Sequence, residues 1–305
     1  MGIVEAILLT VVTAATPLFL AALGELVVER SGVLNLGVEG MMIMGAATGF
    51  AAAVLSGSTL VGCLAAILAG MVMAGLFAAL ALGLAANQVA SGLALTILGL
   101  GLSGLVGADF IGARRDPMAK IVVPWLSDLP VIGRLLFQQD PVVYVSLALG
   151  AGVWWFLYRA RAGLVLRAVG ESHGSAHALG FPVLRIRFFA VLFGGACAGL
   201  AGAYLSLAYT PFWSPGMTAG RGWIALAIVV FASWRPGRAM AGAYLFGGVT
   251  ILQLHAQAHG LGIPSQLMSA LPYLATILVL VLISRAGRTA GQAPAALGTP
   301  FVPDR

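Results

Sequence analysis

The sequence predicts an all-α membrane protein, a polytopic helical bundle of about eight to ten transmembrane helices. Hydrophobic residues make up 60% of the 305 residues and charged residues only 9%, whereas a soluble domain carries roughly 25% charged residues. The mean hydropathy is +1.02, and the apolar residues form long continuous runs, which favour helices because lipid leaves no backbone group unbonded. This composition excludes a water-soluble enzyme, a nucleic-acid-binding protein and a disordered regulator.

The apolar runs predict one transmembrane domain, which covers residues 1–284. At about 20 residues per crossing, most runs are long enough to span a bilayer. Residues 222–234 are too few to cross, so this segment is tilted, broken, or extended backward through Gly220. The runs are 3–23, 38–56, 60–86, 89–107, 141–158, 188–210, 222–234, 238–256 and 268–284.

The charged residues orient the chain in the membrane. Residues 159–187 hold five arginines against one glutamate, and further arginine pairs follow at 235 and 238 and at 285 and 288. With the runs above, these clusters fall on one side, which the positive-inside rule makes cytoplasmic. The sequence therefore predicts a cytoplasmic loop at 163–187, an external loop at 108–140 with no net charge, and a cytoplasmic C-terminus.

The C-terminal residues and the lack of catalytic motifs lead to two further predictions. Residues 285–305 are rich in Ala, Gly and Pro, which predicts a flexible tail with no function of its own. No P-loop, zinc-protease motif or nucleophile elbow occurs, and the single lysine, Lys120, has no glycine loop. We therefore expect no catalytic residue, no metal site and no cofactor.

Polar residues at the ends of the apolar runs have two interpretations. Asn35 and Glu39 lie at the boundary of the first two runs, and Asn87 and Ser91 lie at the boundary of the third and fourth. Such residues cap helix ends at the interface, or they line a pathway through a broken helix. For Asn87 the capping interpretation is favoured, and for Asn35 and Glu39 the two are evenly balanced.

The cytoplasmic loop predicts a short helix of its own. Ala176 to Leu179 favour a helix, which Gly180 can cap and Pro182 stops. This helix is a solvated connection or a docking element for a cytosolic partner. On the other side of the membrane, Arg221 and Trp223 lie at the predicted outer mouth, where they contact a docked protein or where Trp223 anchors the interface.

Four stretches resemble the permease subunits of bacterial ABC importers, in the branch with ribose-type, branched-chain amino-acid-type and nucleoside permeases. The resemblance covers roughly residues 20–285, and its first and last stretches look most like nucleoside or simple-sugar permeases. One departure is His177, where family members often carry an acidic residue. The stretches are 24–42, 87–95, 167–180 and 220–236.

The resemblance implies a role and a set of partners. The chain would be the permease of an importer for a small polar solute, a nucleoside first and a simple sugar next, in the plasma (inner) membrane of a bacterium. It would work with a cytosolic ABC ATPase, a second permease subunit of different sequence and an extracytoplasmic solute-binding protein, within the lipid bilayer and without nucleic acid. The ATPase-coupling residues implied are Gly170, Glu171, His173, Ala176, His177, Ala178, Leu179 and Gly180.

Two assignments complete the expectation. The pathway residues are Asn35, Glu39, Asn87 and Ser91, and the binding-protein contacts are Arg221 and Trp223. The alternative is a gradient-driven secondary transporter, which would carry ionisable groups at midspan. The runs after residue 60 hold no Asp, Glu or Lys, and their one arginine, Arg238, is the first residue of its run, which argues against proton coupling.

Overall fold

A computed structural model describes residues 3–125, 127, 132–258, 267, 270, 274, 277, 278, 281 and 293–303. Within this part of the chain the fold is helical throughout its named elements, as predicted. The helices are α1 (Ile3–Arg30), α2 (Val38–Ser56), α3 (Thr59–Ala78), α4 (Gln88–Gly107), α5 (Ile132–Phe137), α6 (Pro141–Arg159), α7 (Arg161–Glu171), α8 (His173–Ala178), α9 (Val183–Tyr204), α10 (Arg221–Phe231) and α11 (Pro236–Ala258). Short π-helices, Ala79–Gly83 and Leu205–Tyr209, extend α3 and α9.

Seven helices of the described part are long and apolar enough to cross a membrane. They correspond to seven of the predicted runs, and α2 has the predicted bounds, 38–56. The short run 222–234 is the 11-residue helix α10, about 16 Å long, roughly half of a 30 Å hydrocarbon core. The last predicted run, 268–284, lies largely outside the described residues.

Close backbone contacts between glycines join α2, α3 and α9 into the core of the bundle. A Cβ atom on Gly45 of α2 would lie 2.6 Å from the Cα of Gly199 on α9, and one on Gly70 of α3 would lie 2.9 Å from the same atom. A side chain at any of these positions would force the helices apart. These three helices therefore form a fixed frame, and small residues let it close as they do in other membrane bundles.

The connection between α6 and α9 contains the short helix that the sequence predicts, and also a longer helix, α7, that the sequence did not indicate. It holds α7, then Ser172 as the N-cap of α8, and then Gly180 with φ +85°. Such a φ is natural only for glycine, so Gly180 ends the short helix where the sequence places the cap.

The C-terminal tail differs from the sequence expectation. Residues 293–303 are packed against the α1–α2 turn and against α7 and α8, with Pro294 and Ala296 buried. An Ala- and Pro-rich composition is typical of flexible ends, but here the backbone of the segment donates hydrogen bonds to the body of the protein. The composition did not indicate these hydrogen bonds, because their carbonyl acceptors lie far away in the sequence.

Candidate transport and coupling site

The turn between α1 and α2 is held by buried side chains. Glu25 on α1 accepts a hydrogen bond from the backbone N–H of Asn35 (3.2 Å), and the Asn35 side chain accepts one from the N–H of Gly37 (2.9 Å). Both Glu25 and Asn35 are buried. Six of the seven backbone N–H groups of residues 31–37 thus have an acceptor while the chain reverses direction, as burial favours.

The first turns of α4 pack against this same turn. Asn87 is the N-cap of α4, and its side chain accepts from the N–H of Ala90 (3.0 Å), which confirms the capping interpretation. Gln88 accepts from the N–H of Leu34 (2.8 Å), and the hydroxyl of Thr96 donates to the carbonyl of Leu36 (3.0 Å). Ser91 is buried beside them. The structure therefore brings the predicted residues Asn35 and Ser91 to adjoining elements, whereas Asn87 is exposed.

Glu39 holds the N-terminal end of the half-length helix α10. Its carboxylate accepts from the Thr218 hydroxyl (2.5 Å), the Gly220 N–H (2.8 Å) and the Gly222 N–H (2.6 Å). The side chain is only 5% exposed. A carboxylate is favoured here because the first N–H groups of a helix lack internal partners and carry a partial positive charge. Glu39 thereby ties α10 to α2.

The C-terminal end of α10 is tied to the end of α1. The indole N–H of Trp234 donates to the Glu29 carboxylate (2.5 Å), and the Arg30 guanidinium donates to the Trp234 carbonyl (3.0 Å). Ala219 before the helix and Ser233 and Trp234 after it have positive φ. Side chains rarely adopt this backbone region, so the contacts at both ends hold α10 in place against strain.

The start of α10 borders a cavity beside the middle of α1, and the cavity is lined by both polar and apolar side chains. The cavity has a volume of about 140 Å³, and its wall includes Leu18, Tyr209, Arg221, Thr250 and Gln253. Because Leu18 lies near the middle of the 28-residue α1, α10 starts at middle depth, as the half-helices of transporter binding sites do.

Arg221 lines this cavity. Its guanidinium lies over the Tyr209 ring, 5.6 Å from the centroid, and donates to the Met217 carbonyl (3.0 Å). The sequence assigned Arg221 to binding-protein contact, and that assignment stays a prediction, as does Trp223, which is 52% exposed on α10. The sequence reasoning missed Tyr209, Thr250 and Gln253. The short run 222–234 could have pointed to this cavity, because transporter binding sites often form at the N-terminal end of a broken helix.

The predicted coupling residues lie on α8 and on the segments beside it, at one end of the molecule. Gly174, Ser175, His177, Ala178 and Leu179 are exposed, whereas Ala176 faces inward. Leu179 leaves 76% of its surface exposed.

His173 lies at the inner edge of α8, next to a buried cation. Its Nδ1 lies 3.3 Å from the guanidinium of Arg187, which is itself fully buried. Burial, and secondly the positive charge of Arg187, lower the pKa of His173 from its ordinary 6.5. The neutral ring is therefore the form that this position favours.

Arg187 links α9 to the α1–α2 turn. The sequence counted it in the solvated cytoplasmic cluster, but its guanidinium donates to the Ser31 carbonyl (3.1 Å) and the Thr299 carbonyl (3.2 Å). These acceptors reduce the cost of burying the charge. Arg187 thus contacts α8, the turn and the C-terminal segment together.

Gly170 on α7 also packs closely against the α1–α2 turn. A Cβ there would lie 3.2 Å from the backbone nitrogen of Gly32 and closer still to the carbonyl of Arg30. The neighbouring Glu171 is exposed and accepts from the Ala295 N–H (3.3 Å). Within the described residues, no group of three His, Cys, Asp or Glu side chains could hold a metal ion.

These features define a multi-pass membrane protein with a half-length helix beside a cavity and a short surface helix, α8. The chain belongs to the family of permease components of branched-chain amino acid transport systems, whose model matches residues 7–283. It is therefore an ABC permease subunit.

Curated relatives match nearly the full chain. A protein of Haloferax volcanii, provisionally named a glucose ABC transporter permease, is 43% identical over 92% of each chain. The guanosine ABC transporter permease of Bacillus subtilis is 33% identical, covering 94% of this chain and 93% of the relative. A nucleoside ABC transporter permease of Lactococcus lactis is 31% identical, covering 88% and 89%. No solved structure matches.

Proposed function

We propose that this chain imports a neutral, hydroxyl-rich solute, a nucleoside or a simple sugar, on energy from a separate cytosolic ATPase. The names of the relatives support the solute class. The observation that carries the proposal is the half-length helix α10, which starts at a polar cavity at middle depth and is tied to α2 by Glu39. Arginine donors and an aromatic ring suit hydroxyls and planar bases.

The proposal includes the partners and the orientation. A second permease of different sequence completes the pathway, and a binding protein delivers the solute at the outer side. The complex lies in the plasma (inner) membrane, with the C-terminus in the cytoplasm. ATP is hydrolysed by the partner ATPase, whose contact on this chain is α8 with Leu179 at its end.

A continuous series of contacts connects α8, the proposed docking surface, with the cavity. His173 of α8 lies next to Arg187, which bonds to the carbonyl of Ser31 in the α1–α2 turn. The same turn leads into Glu39, whose carboxylate bonds to the start of α10. We propose that movement of α8 is transmitted along this path, so that α2 and α10 shift together and open the cavity to alternate sides.

Transport by reconstituted protein tests this function. The permease would be placed in proteoliposomes with its partner permease, binding protein and ATPase, and uptake of labelled guanosine, ribose, glucose and leucine measured. We expect ATP-dependent uptake of a nucleoside or sugar, and none with an ATPase whose P-loop lysine is replaced. Gradient-driven uptake without the ATPase would contradict the proposal and favour a secondary transporter.

The cavity has its own test within the same assay. Gln253→Ala enlarges the polar cavity and removes one hydrogen-bonding group, so the KM for the transported solute should rise about tenfold. Gln257→Ala, further along α11, is the control. An unchanged KM in Gln253→Ala would place the solute contacts elsewhere.

A further inference from the structure

The last described residues, 293–303, form a strap across the cytoplasmic end of the bundle, which we call the C-terminal strap. Its backbone donates at Ala296 to the Gly170 carbonyl (2.9 Å) on α7 and at Gly298 to the Gly32 carbonyl (3.1 Å) in the α1–α2 turn. Two consecutive anchors on different elements fix the course of the strap. It therefore lies over the place where α7 meets the turn.

A phenylalanine attaches the strap to α8. The ring of Phe301 lies 5.2 Å from the His173 ring and 5.3 Å from the His177 ring, measured between centroids. Phe301 also packs on a small apolar cluster below α8, formed by Val169, Ala176 and Val183. Aromatic pairs at such distances contribute beyond the area they bury. The strap thus holds one edge of the coupling helix.

The buried guanidinium of Arg187 joins the strap to the frame. It donates to the strap at the Thr299 carbonyl and to the turn at the Ser31 carbonyl, and it faces His173. Without the strap, this guanidinium would lose one of its carbonyl acceptors. The strap is therefore part of the structure that positions α8 relative to α1 and α2.

The outer side of the strap continues the exposed side of α8. Thr299, Pro300, Val302 and Pro303 are exposed, and Phe301 between them touches the two histidines of α8. The exposed residues of α8, His177 and Leu179, lie on the same end of the molecule. Strap and helix consequently present one surface to the cytoplasm.

We propose that the C-terminal strap is part of the ATPase-binding surface and fastens α8 to the α1–α2 turn, so that force from the ATPase reaches α2. This inference rests on the proposed function. The kind of partner is the cytosolic ATPase itself, which binds α8 and the strap together. A strap that only covered α8 would instead have to leave before the ATPase binds.

The test compares neighbouring substitutions in the full chain. Phe301→Ala removes the ring between the two histidines, whereas Val302→Ala shortens an adjacent side chain that is 68% exposed. A truncation after Gln292 removes the strap entirely. Each variant is purified in detergent with its partner permease, and the affinity for the purified ATPase is measured with the wild type in parallel.

We expect Phe301→Ala and the truncation to weaken ATPase binding about tenfold, with Val302→Ala within about twofold of wild type. Hydrogen exchange at α8 should rise in Phe301→Ala without the ATPase, which shows that the strap holds the helix. Wild-type affinity in both Phe301→Ala and the truncation would overturn the strap's role and leave the proposed function standing. Tighter binding after truncation would also overturn it, because it would show that the strap covers α8 and must leave before the ATPase binds. A wild-type permease that binds no ATPase would overturn the proposed function and the strap's role with it.

Discussion

Two short helices, α8 and α10, are held in place by different chemistry. α10 is buried beside α1, and charged side chains hold both of its ends: Glu39 at the first and Glu29 with Arg30 at the second. α8 lies at the surface and contacts the Phe301 ring and the buried Arg187 guanidinium. Charged groups bonded inside a membrane protein are costly to separate, whereas surface contacts exchange readily with water.

The difference indicates which parts move together. α10 is fastened to α2 by the carboxylate of Glu39, so it shifts only when α2 shifts. α8 connects to the frame through Arg187 and Phe301, a contact that a docking partner can press or pull. The surface helix therefore suits the input of force, and the buried one suits its delivery to the cavity.

The largest expected effect is on the buried helix. Glu39→Gln replaces a carboxylate that accepts three hydrogen bonds with an amide that opposes N–H to N–H, so the free energy of unfolding should fall by about 3 kcal/mol. Thermal unfolding in detergent measures this. Glu5→Gln is the control, because Glu5 forms a surface pair with Arg134 (3.5 Å), worth about 1 kcal/mol or less. Equal losses in the two variants would break the comparison.

The next effect concerns the surface helix. Leu179→Asp places a charge on the exposed end of α8 and should weaken ATPase binding about thirtyfold, with unfolding temperature unchanged. Leu55→Asp is the matched control, since Leu55 at the end of α2 is 78% exposed against 76% for Leu179. Binding assays with the purified ATPase distinguish the two. Weakened binding in Leu55→Asp alone would reverse the assigned sides.

A smaller effect is expected at the second end of α10. Trp234→Phe removes the indole donor and leaves the Glu29 carboxylate without that bond, which should lower the free energy of unfolding by about 1–2 kcal/mol. Trp223→Phe, at an exposed position of the same helix, should change it by less than about 0.5 kcal/mol. Chemical unfolding in mixed micelles gives both values. No difference between the two tryptophans would remove the anchor at this end.

The smallest effect is a pH dependence at α8. Because the pKa of His173 is lowered in the folded protein, the unfolded state takes up the proton first, and stability is lost as the pH falls below about 6.5. The groups near the ring are Arg187, and His177 across Phe301. The unfolding temperature in detergent should fall slightly between pH 7.5 and 5.5, and His173→Gln should flatten this slope. An unchanged slope in His173→Gln would show that another group causes the pH dependence.

The sequence predicted the helices better than their attachments. The apolar run of α2 lies between Gly37 and Gly57, so its bounds followed from local pattern alone. The bonds of Glu39 reach Gly220 and Gly222, about 180 positions along the chain. No local pattern encodes such a pairing, and Glu39 remained open between a cap and a pathway residue.

Arg187 and the tail show the same limit. Counting charges assigned Arg187 to the cytoplasmic end but could not show that it is buried against backbone carbonyls of Ser31 and Thr299. Those carbonyls have no signature in composition. The ordered course of residues 293–303 depends on the same distant acceptors and was therefore predicted as flexible.

Site-specific cross-linking tests the central claim most directly. A photoreactive amino acid at position 179 or at position 55 would be activated in the assembled transporter in its membrane. We expect that position 179 captures the ATPase and that position 55 does not. Capture of the ATPase from position 55, with none from position 179, would contradict the orientation, the docking surface and the coupling path together.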